Sequence, residues 1–205
     1  MAKLYFKFGA MGSSKTAQAL MTKFNYEEKD KSVLLIKPAT DNRDDRIGDD
    51  GRIITEVRSR IGLFAPATAV SDTENLIEMY LSENQKSEVD VIICDECQFL
   101  TEKQVDELKD IADLYDVPVL CFGLRADFRT KLFPGSKRLF EIADSISEIK
   151  SICRCGRKAT VNARIDGNGR IITEGNQVFI GGTGQYVGMC YKCYRKQIKE
   201  EGGSL

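Results

Sequence analysis

Apolar and polar positions alternate at the start of the chain, with Leu4, Phe6 and Phe8 on one face and Tyr5 and Lys7 on the other, the period-two pattern of a strand. The next regular stretch, Ala17-Gln18-Ala19-Leu20-Met21-Thr22-Lys23-Phe24, is rich in helix formers. Val33-Leu34-Leu35-Ile36 is continuously apolar and closed by Pro38, which predicts a strand buried on both faces of a parallel sheet. Two more runs of this kind follow, at 89–94 and 117–124. Between and after them the spacing predicts helices: one capped by Asp72-Thr73 with Leu76, Ile77, Tyr80 and Leu81 on a shared face, one capped by Thr101 with Val105, Leu108, Ile111, Ala112 and Tyr115, and one capped by Ser136 with Leu139, Phe140 and Ile142. Residues 145–149 alternate as a last strand. Strands and helices in this succession predict an α/β fold, a parallel sheet with helices on both faces.

Two stretches break the pattern. Residues 40–69 are polar and crowded with Asp and Arg, and predict an excursion with a small hairpin around Asp50-Gly51. Its hexapeptide Gly51-Arg52-Ile53-Ile54-Thr55-Glu56 recurs as Gly169-Arg170-Ile171-Ile172-Thr173-Glu174; the flanks differ, so two similar hairpin arms are expected rather than a repeat fold. At Cys153 the chain changes character: Cys153-Arg154-Cys155-Gly156, strand-like residues, a tight turn at 166–169, a glycine-rich loop at 181–184, then Cys190-Tyr191-Lys192-Cys193. A boundary near 150 follows, with 1–150 as the sheet domain, 151–198 as a small lobe and 199–205 as a flexible tail.

The 205 residues, 42% hydrophobic and 30% charged, suit one ordinary domain with such an appendage. No apolar run is long enough to span a bilayer, and Lys3 and Lys7 interrupt the start as a secretory signal would not; the expected location is the cytoplasm. Lys+Arg 30 against Asp+Glu 31 leaves no basic excess to drive nucleic-acid binding. The count of His is 0, which excludes histidine bases and histidine metal ligands.

Within this frame the chemistry concentrates at three places. Gly9-Ala10-Met11-Gly12-Ser13-Ser14-Lys15-Thr16 lies between the first strand and first helix, as a P-loop must: backbone N–H groups surround phosphates, Lys15 reaches the outer ones, and the Thr16 hydroxyl holds Mg²⁺. Ser14 stands where that pattern has glycine, and a positive φ there would cost about 1–2 kcal/mol. A glycine- and serine-rich turn with a solvated lysine is the bland alternative. Asp95-Glu96 ends the second buried strand; Asp95 suits the Mg²⁺ shell and Glu96 suits a proton acceptor for whatever attacks the γ-phosphate. Cys153, Cys155, Cys190 and Cys193 flank a β-ribbon in two close pairs, the layout of a structural zinc site closed by four thiolates, with four free thiols as the other reading. Cys94, Cys97 and Cys121 read as small core residues.

Together these segments resemble the type II thymidine kinases over nearly the whole chain, through the 9–16 loop, Asp95-Glu96-Cys97-Gln98-Phe99, Gly123-Leu124-Arg125-Ala126-Asp127-Phe128, the two cysteine pairs, Ile180-Gly181-Gly182 and Tyr186. The resemblance implies a RecA-like P-loop sheet with a C-terminal zinc-ribbon-like β lobe bearing a lasso loop. It implies transfer of the ATP γ-phosphoryl group to the 5′-hydroxyl of thymidine, with Glu96 as catalytic base, Gln98 grouped with the ATP and Mg²⁺ residues, and Asp41 and Arg43 on a loop near the phosphates. The nucleoside positions that match are Met11, Phe99, Leu124, Phe128, Phe179, Gly181 and Tyr186. A homotetramer and feedback inhibition by thymidine triphosphate are expected on the same ground. The rival is a P-loop ATPase whose zinc ribbon grips nucleic acid; it shares every nucleotide residue, and the neutral charge weighs against it.

Overall fold

The computed structural model describes residues 1–48, 50–177 and 186–202. The opening alternation becomes β1 (Leu4–Phe8), followed by α1 (Lys15–Glu27) and β2 (Val33–Pro38). The polar excursion holds two short hairpins, β3 (Arg46–Ile47) with β4 (Ile53–Ile54), and β5 (Glu56–Arg58) with β6 (Phe64–Pro66). Then come β7 (Thr68–Val70), α2 (Leu76–Lys86), β8 (Val91–Cys94), α3 (Glu102–Leu114), β9 (Val119–Gly123), α4 (Pro134–Ile142) and β10 (Ser145–Glu148). The lobe consists of β11 (Val161–Ile165), β12 (Ile171–Ile172), β13 (Tyr186–Met189) and α5 (Tyr191–Glu200).

The central sheet has six strands in the order β10-β1-β9-β8-β2-β7, and every neighbouring pair is parallel. Parallel pairing puts all the carboxyl ends at one edge, where such sheets bind ligands. The 9–16 loop leaves β1 there, Asp95-Glu96 leaves β8 and Leu124 leaves β9, with β9 standing between the other two strands. Alternate residues build two cores. Leu4, Phe6, Ile36, Ile92, Cys94, Val119 and Cys121 pack against Leu76, Met79, Val105, Leu108, Ile111 and Leu139 of α2, α3 and α4. Leu35, Val91, Ile93, Leu120 and Phe122 pack against Ala19 and Leu20 of α1, and against Val57 and Ala65 of the β5–β6 hairpin. Helices thus cover both faces, and Cys94, Cys97 and Cys121 are core residues, all at 0% exposure.

Element ends differ from the sequence expectations where side chains compete for backbone groups. Asn75, not Asp72-Thr73, caps α2, because its side chain accepts from the N–H groups of Ile77 and Glu78. The buried face of α2 takes Met79 in place of Leu81, which is exposed. Thr101 caps α3 as expected, in a capping box with Gln104. Ser136 does not cap α4; Phe133 precedes the helix with Pro134 in its first turn, and the Ser136 hydroxyl donates to the Leu124 carbonyl. The recurring hexapeptide does form two like arms. Gly51 and Gly169 sit at φ +78° and +79°, and each Ile-Ile pair is the returning strand of a hairpin.

The lobe departs further. Tyr191–Glu200 is a helix where the sequence suggested none, and it continues through Lys199 and Glu200, two residues into the expected tail. Tyr194 and Ile198, four apart, bury one face of α5 against Val161 and Ala163 of β11. Residues 181–184 of the expected lasso lie outside the described residues. Among those described, no helix is long and apolar enough to cross a membrane.

Candidate functional site: a charged cleft and a cysteine cluster

The 9–16 loop is held by what its residues lack as much as by what they carry. A side chain at Gly9 would strike the Ile149 carbonyl at 2.5 Å, and Gly9 N–H donates to the Gly123 carbonyl at 3.2 Å. The Ser13 N–H closes a turn onto the Ala10 carbonyl. Gly12 and Ser14 both have positive φ, +76° and +61°. The position of Ser14 thus does demand the conformation that glycine adopts freely, and its side chain makes no cap bond in return. From the first turn of α1 the buried Lys15 ammonium donates to the Ala10 carbonyl (3.1 Å) and to Ser13 Oγ (3.4 Å). Burial lowers its pKa, while Glu96 and Asp95 raise it.

Asp95 directly follows β8 at 3% exposure, and its Oδ1 has no hydrogen-bond partner among the described residues. Burial, and next the Glu96 charge, push its carboxyl up to about 7 against a hydrogen bond from Thr16 and the charge of Lys15. An unsatisfied buried carboxylate oxygen beside a threonine hydroxyl, next to the 9–16 loop, fits a hard cation that takes oxygen ligands. Glu96 follows in the left-handed region at φ 50°, a strained conformation for a residue with a side chain. Both of its oxygens are held: Arg43 Nη2 donates to Oε1 at 2.9 Å, and the Gln98 amide donates to Oε2. Arg43 is itself clamped by the buried Asp41 through Nε and Nη2.

A cavity of about 610 Å³ is lined by Met11, Gly12, Ser14, Lys15 and Thr16, by Asp95 and Glu96, and by Asp41, Arg43, Arg58 and Arg60. Asp41 and Arg43, matched loosely by resemblance, are thus brought to the cleft. Gln98 is not in its wall. It is 1% exposed, and its carbonyl oxygen accepts from the Leu124 N–H at 2.9 Å while its amide orients Glu96. That makes it a positioning residue between the two loops.

Of the expected nucleoside residues, Met11 lines this cavity, whereas Phe99, Leu124, Phe128 and Tyr186 do not. Phe99 packs edge-on against Phe133, with ring centroids 5.7 Å apart. Leu124 is half-buried and tied at both backbone groups by Gln98 and Ser136. Phe128 is 1% exposed, beneath the guanidinium groups of Arg129 and Arg164, and its carbonyl accepts from the Tyr194 hydroxyl. Tyr186 is half-buried at the start of β13. Phe179 and Gly181 lie outside the described residues.

Sequence reasoning missed Asn162. This buried residue of β11 accepts from the Met11 N–H at 2.8 Å and donates to the Ala126 carbonyl at 2.8 Å, joining the lobe to the phosphate loop and to the loop after β9. Gly188 on the neighbouring strand lies so close that a Cβ there would be 2.8 Å from the Met11 carbonyl. The one available signal was a carboxamide inserted in the apolar alternation Val161-Asn162-Ala163.

The four lobe cysteines do converge. Their sulfurs all lie within 4.8 Å of one another, with Cys155 and Cys190 at 3.6 Å, beyond the roughly 2.05 Å of a disulfide. Four thiolates around zinc stand about 3.8 Å apart when each bond is about 2.3 Å. One pair sits on a tight turn, where the Gly156 N–H donates to the Cys153 carbonyl; the other opens α5, where Cys190 Sγ accepts from the Cys193 N–H. Burial pushes the Cys153 thiol up, but N–H groups of Cys155 and Cys190 outweigh it and bring the thiol to about 6. Four crowded sulfurs with donors aimed at them suit a soft cation, and this cluster has the geometry to hold one.

Comparison with known proteins places this arrangement. The thymidine kinase family profile matches residues 2–194. A thymidine kinase of Shewanella oneidensis is 42% identical over 198 residues, covering 97% of this chain and 99% of that protein. Those of Yersinia pestis and Escherichia coli K12 are 42% and 41% identical over 199 residues, covering 97% of this chain and 97% and 93% of theirs. The chain belongs to the thymidine kinase family.

Proposed function

We propose that the protein is a thymidine kinase that transfers the γ-phosphoryl group of ATP to the 5′-hydroxyl of thymidine. The observation that carries this reading is Glu96, held on both oxygens by Arg43 and Gln98 at the mouth of a phosphate cleft that also holds Lys15 and Asp95. In this reading Glu96 accepts the proton as the 5′-oxygen bonds to phosphorus and the bond to the ADP oxygen breaks. Lys15 and the N–H groups of the 9–16 loop stabilise the charge on the transferring group, so positioning and electrostatics supply most of the catalysis. Thr16 and Asp95 would hold Mg²⁺, which when bound neutralises phosphate charge. The four cysteines would hold a structural zinc ion, which leaves no ligand position open for chemistry.

Met11, Phe99, Leu124, Phe128, Phe179, Gly181 and Tyr186 would form the nucleoside side. Residues 1–150 form the nucleotide domain in this reading, and 151–198 form the lobe that covers the acceptor. A cytoplasmic homotetramer inhibited by thymidine triphosphate completes the proposal. The rival, an ATPase with a nucleic-acid-gripping ribbon, is not favoured: the relatives carry the name thymidine kinase, and the net charge is −1.

The test is incubation with labelled ATP and Mg²⁺, with and without thymidine. Labelled thymidine monophosphate is the expected product. ADP release stimulated by DNA or RNA and indifferent to thymidine would overturn the reading.

A further inference from the structure

The cations around the phosphate cleft differ in whether they are neutralised. Arg43 is paired with Asp41 and Glu96, and Arg58 is paired with Glu56 while its guanidinium lies 4.5 Å above the Phe64 ring. Two cations lining the cavity have no carboxylate partner within ion-pair distance among the described residues: Lys15, whose hydrogen bonds go to neutral oxygens, and Arg60. Both line the same cavity, Lys15 from the first turn of α1 and Arg60 from the segment between β5 and β6.

Arg60 is exposed, yet its backbone is fixed. It sits in the turn of the β5–β6 hairpin, where the Ser59 N–H donates to the Leu63 carbonyl (2.7 Å), the Leu63 N–H donates to Ser59 Oγ (2.9 Å) and the Gly62 N–H donates to the Ser59 carbonyl (3.1 Å). The hairpin is anchored by Val57 and Ala65 in the core beneath α1, the helix that carries Lys15. Two cations on one cavity that lack carboxylate partners are stabilised by an anion that reaches both, and a chain of phosphates has that reach and charge. A guanidinium adds a planar pair of donors that a phosphate accepts bidentately.

We propose that Arg60 is a phosphate-binding residue of the donor nucleotide, and that the β5–β6 turn forms part of the polyphosphate site together with the 9–16 loop. This rests on the kinase reading for the identity of the nucleotide; the anion site itself does not need thymidine.

The experiment measures binding of inorganic tripolyphosphate and of ATP, each with Mg²⁺ and without thymidine, by calorimetry on wild type, Arg60→Gln and Arg60→Lys. Thermal unfolding of each variant checks the fold. Arg60→Gln is expected to weaken both ligands roughly ten- to a hundred-fold, the scale of one lost charge-assisted contact, with Arg60→Lys recovering part of the loss and the melting temperature unchanged. Tripolyphosphate affinity of Arg60→Gln within two-fold of wild type overturns the proposal, as does an Arg60→Lys protein that binds no better than Arg60→Gln. Failure of the wild type to phosphorylate thymidine would sink the kinase reading while leaving this result standing.

Discussion

Asn162 Oδ1 accepts the Met11 N–H at 2.8 Å across 151 positions of sequence, so a strand of the cysteine lobe fixes the tip of the phosphate loop. The same carboxamide donates to the Ala126 carbonyl. Removing it leaves two backbone groups without their partner, each worth about 1–3 kcal/mol when buried. Asn162→Ala is expected to lower kcat/KM for thymidine at least about ten-fold while the protein stays folded. Steady-state kinetics with both substrates varied, beside a thermal melt, check this; unaltered kinetics would remove the linking role.

Glu96→Gln preserves an acceptor for Arg43 and removes the base. ATP affinity should be retained while kcat falls by roughly 10²–10⁴, the usual worth of general-base catalysis. Equilibrium ATP binding and turnover measured on the same preparation separate the two effects. Near-normal turnover would take Glu96 out of the mechanism.

Ser14 at φ 61° carries a strain of about 1–2 kcal/mol that glycine escapes, less about 0.5–1 kcal/mol of extra chain entropy. Its side chain makes no cap bond to lose. Ser14→Gly should therefore raise the melting temperature by about 2–4 °C and leave activity equal or higher. A drop in activity would mean that the serine hydroxyl itself contacts the nucleotide.

Zinc should be present at one ion per chain by elemental analysis. Because Asn162 and Gly188 reach the phosphate loop from β11 and β13, whose ends the cysteine pairs hold, chelation is expected to abolish thymidine phosphorylation as well as loosen the lobe. A metal-free protein with full activity would contradict the closed thiolate site.

Asp144 links β10 to the sheet's first strand by accepting the Leu4 N–H at 2.8 Å and pairing with Lys109. The Leu4 N–H lowers its pKa below the usual 3.8, helped by Lys109 and opposed by burial. A carboxylate with a depressed folded pKa adds stability above its unfolded pKa and loses it as pH falls through the folded value. The stability gap between wild type and Asp144→Asn, read from urea melts, should be full near neutral pH and shrink below about pH 4. A gap independent of pH would show that the charge of Asp144 contributes nothing.

How much of this could be read beforehand depended on range. The buried strands were legible because burial on both faces writes a continuous apolar run, as in Val33-Leu34-Leu35-Ile36. Thr101 was legible as a cap because a capping box is complete within four residues. Asn75 was misjudged in favour of Asp72-Thr73 because several polar residues in a row can each cap, and packing of Leu76 and Met79 on α3 selects among them. The α5 helix escaped notice because half of its ten residues are charged, and its apolar face exists only against β11.

By itself, then, the sequence determined the order of β1, α1, β2, α2, β8, α3, β9, α4 and β10, the glycine-serine-lysine loop ahead of the acidic pair, and the two cysteine pairs, because each is a pattern of neighbours within a few residues. The tertiary structure alone decided that Gln98 holds Glu96 from outside the cavity wall, that Asn162 grips Met11, and that Arg60 and Lys15 line the same cleft. Those relations join residues far apart in the chain, and their geometry is set by strand order and side-chain packing, which no local pattern encodes.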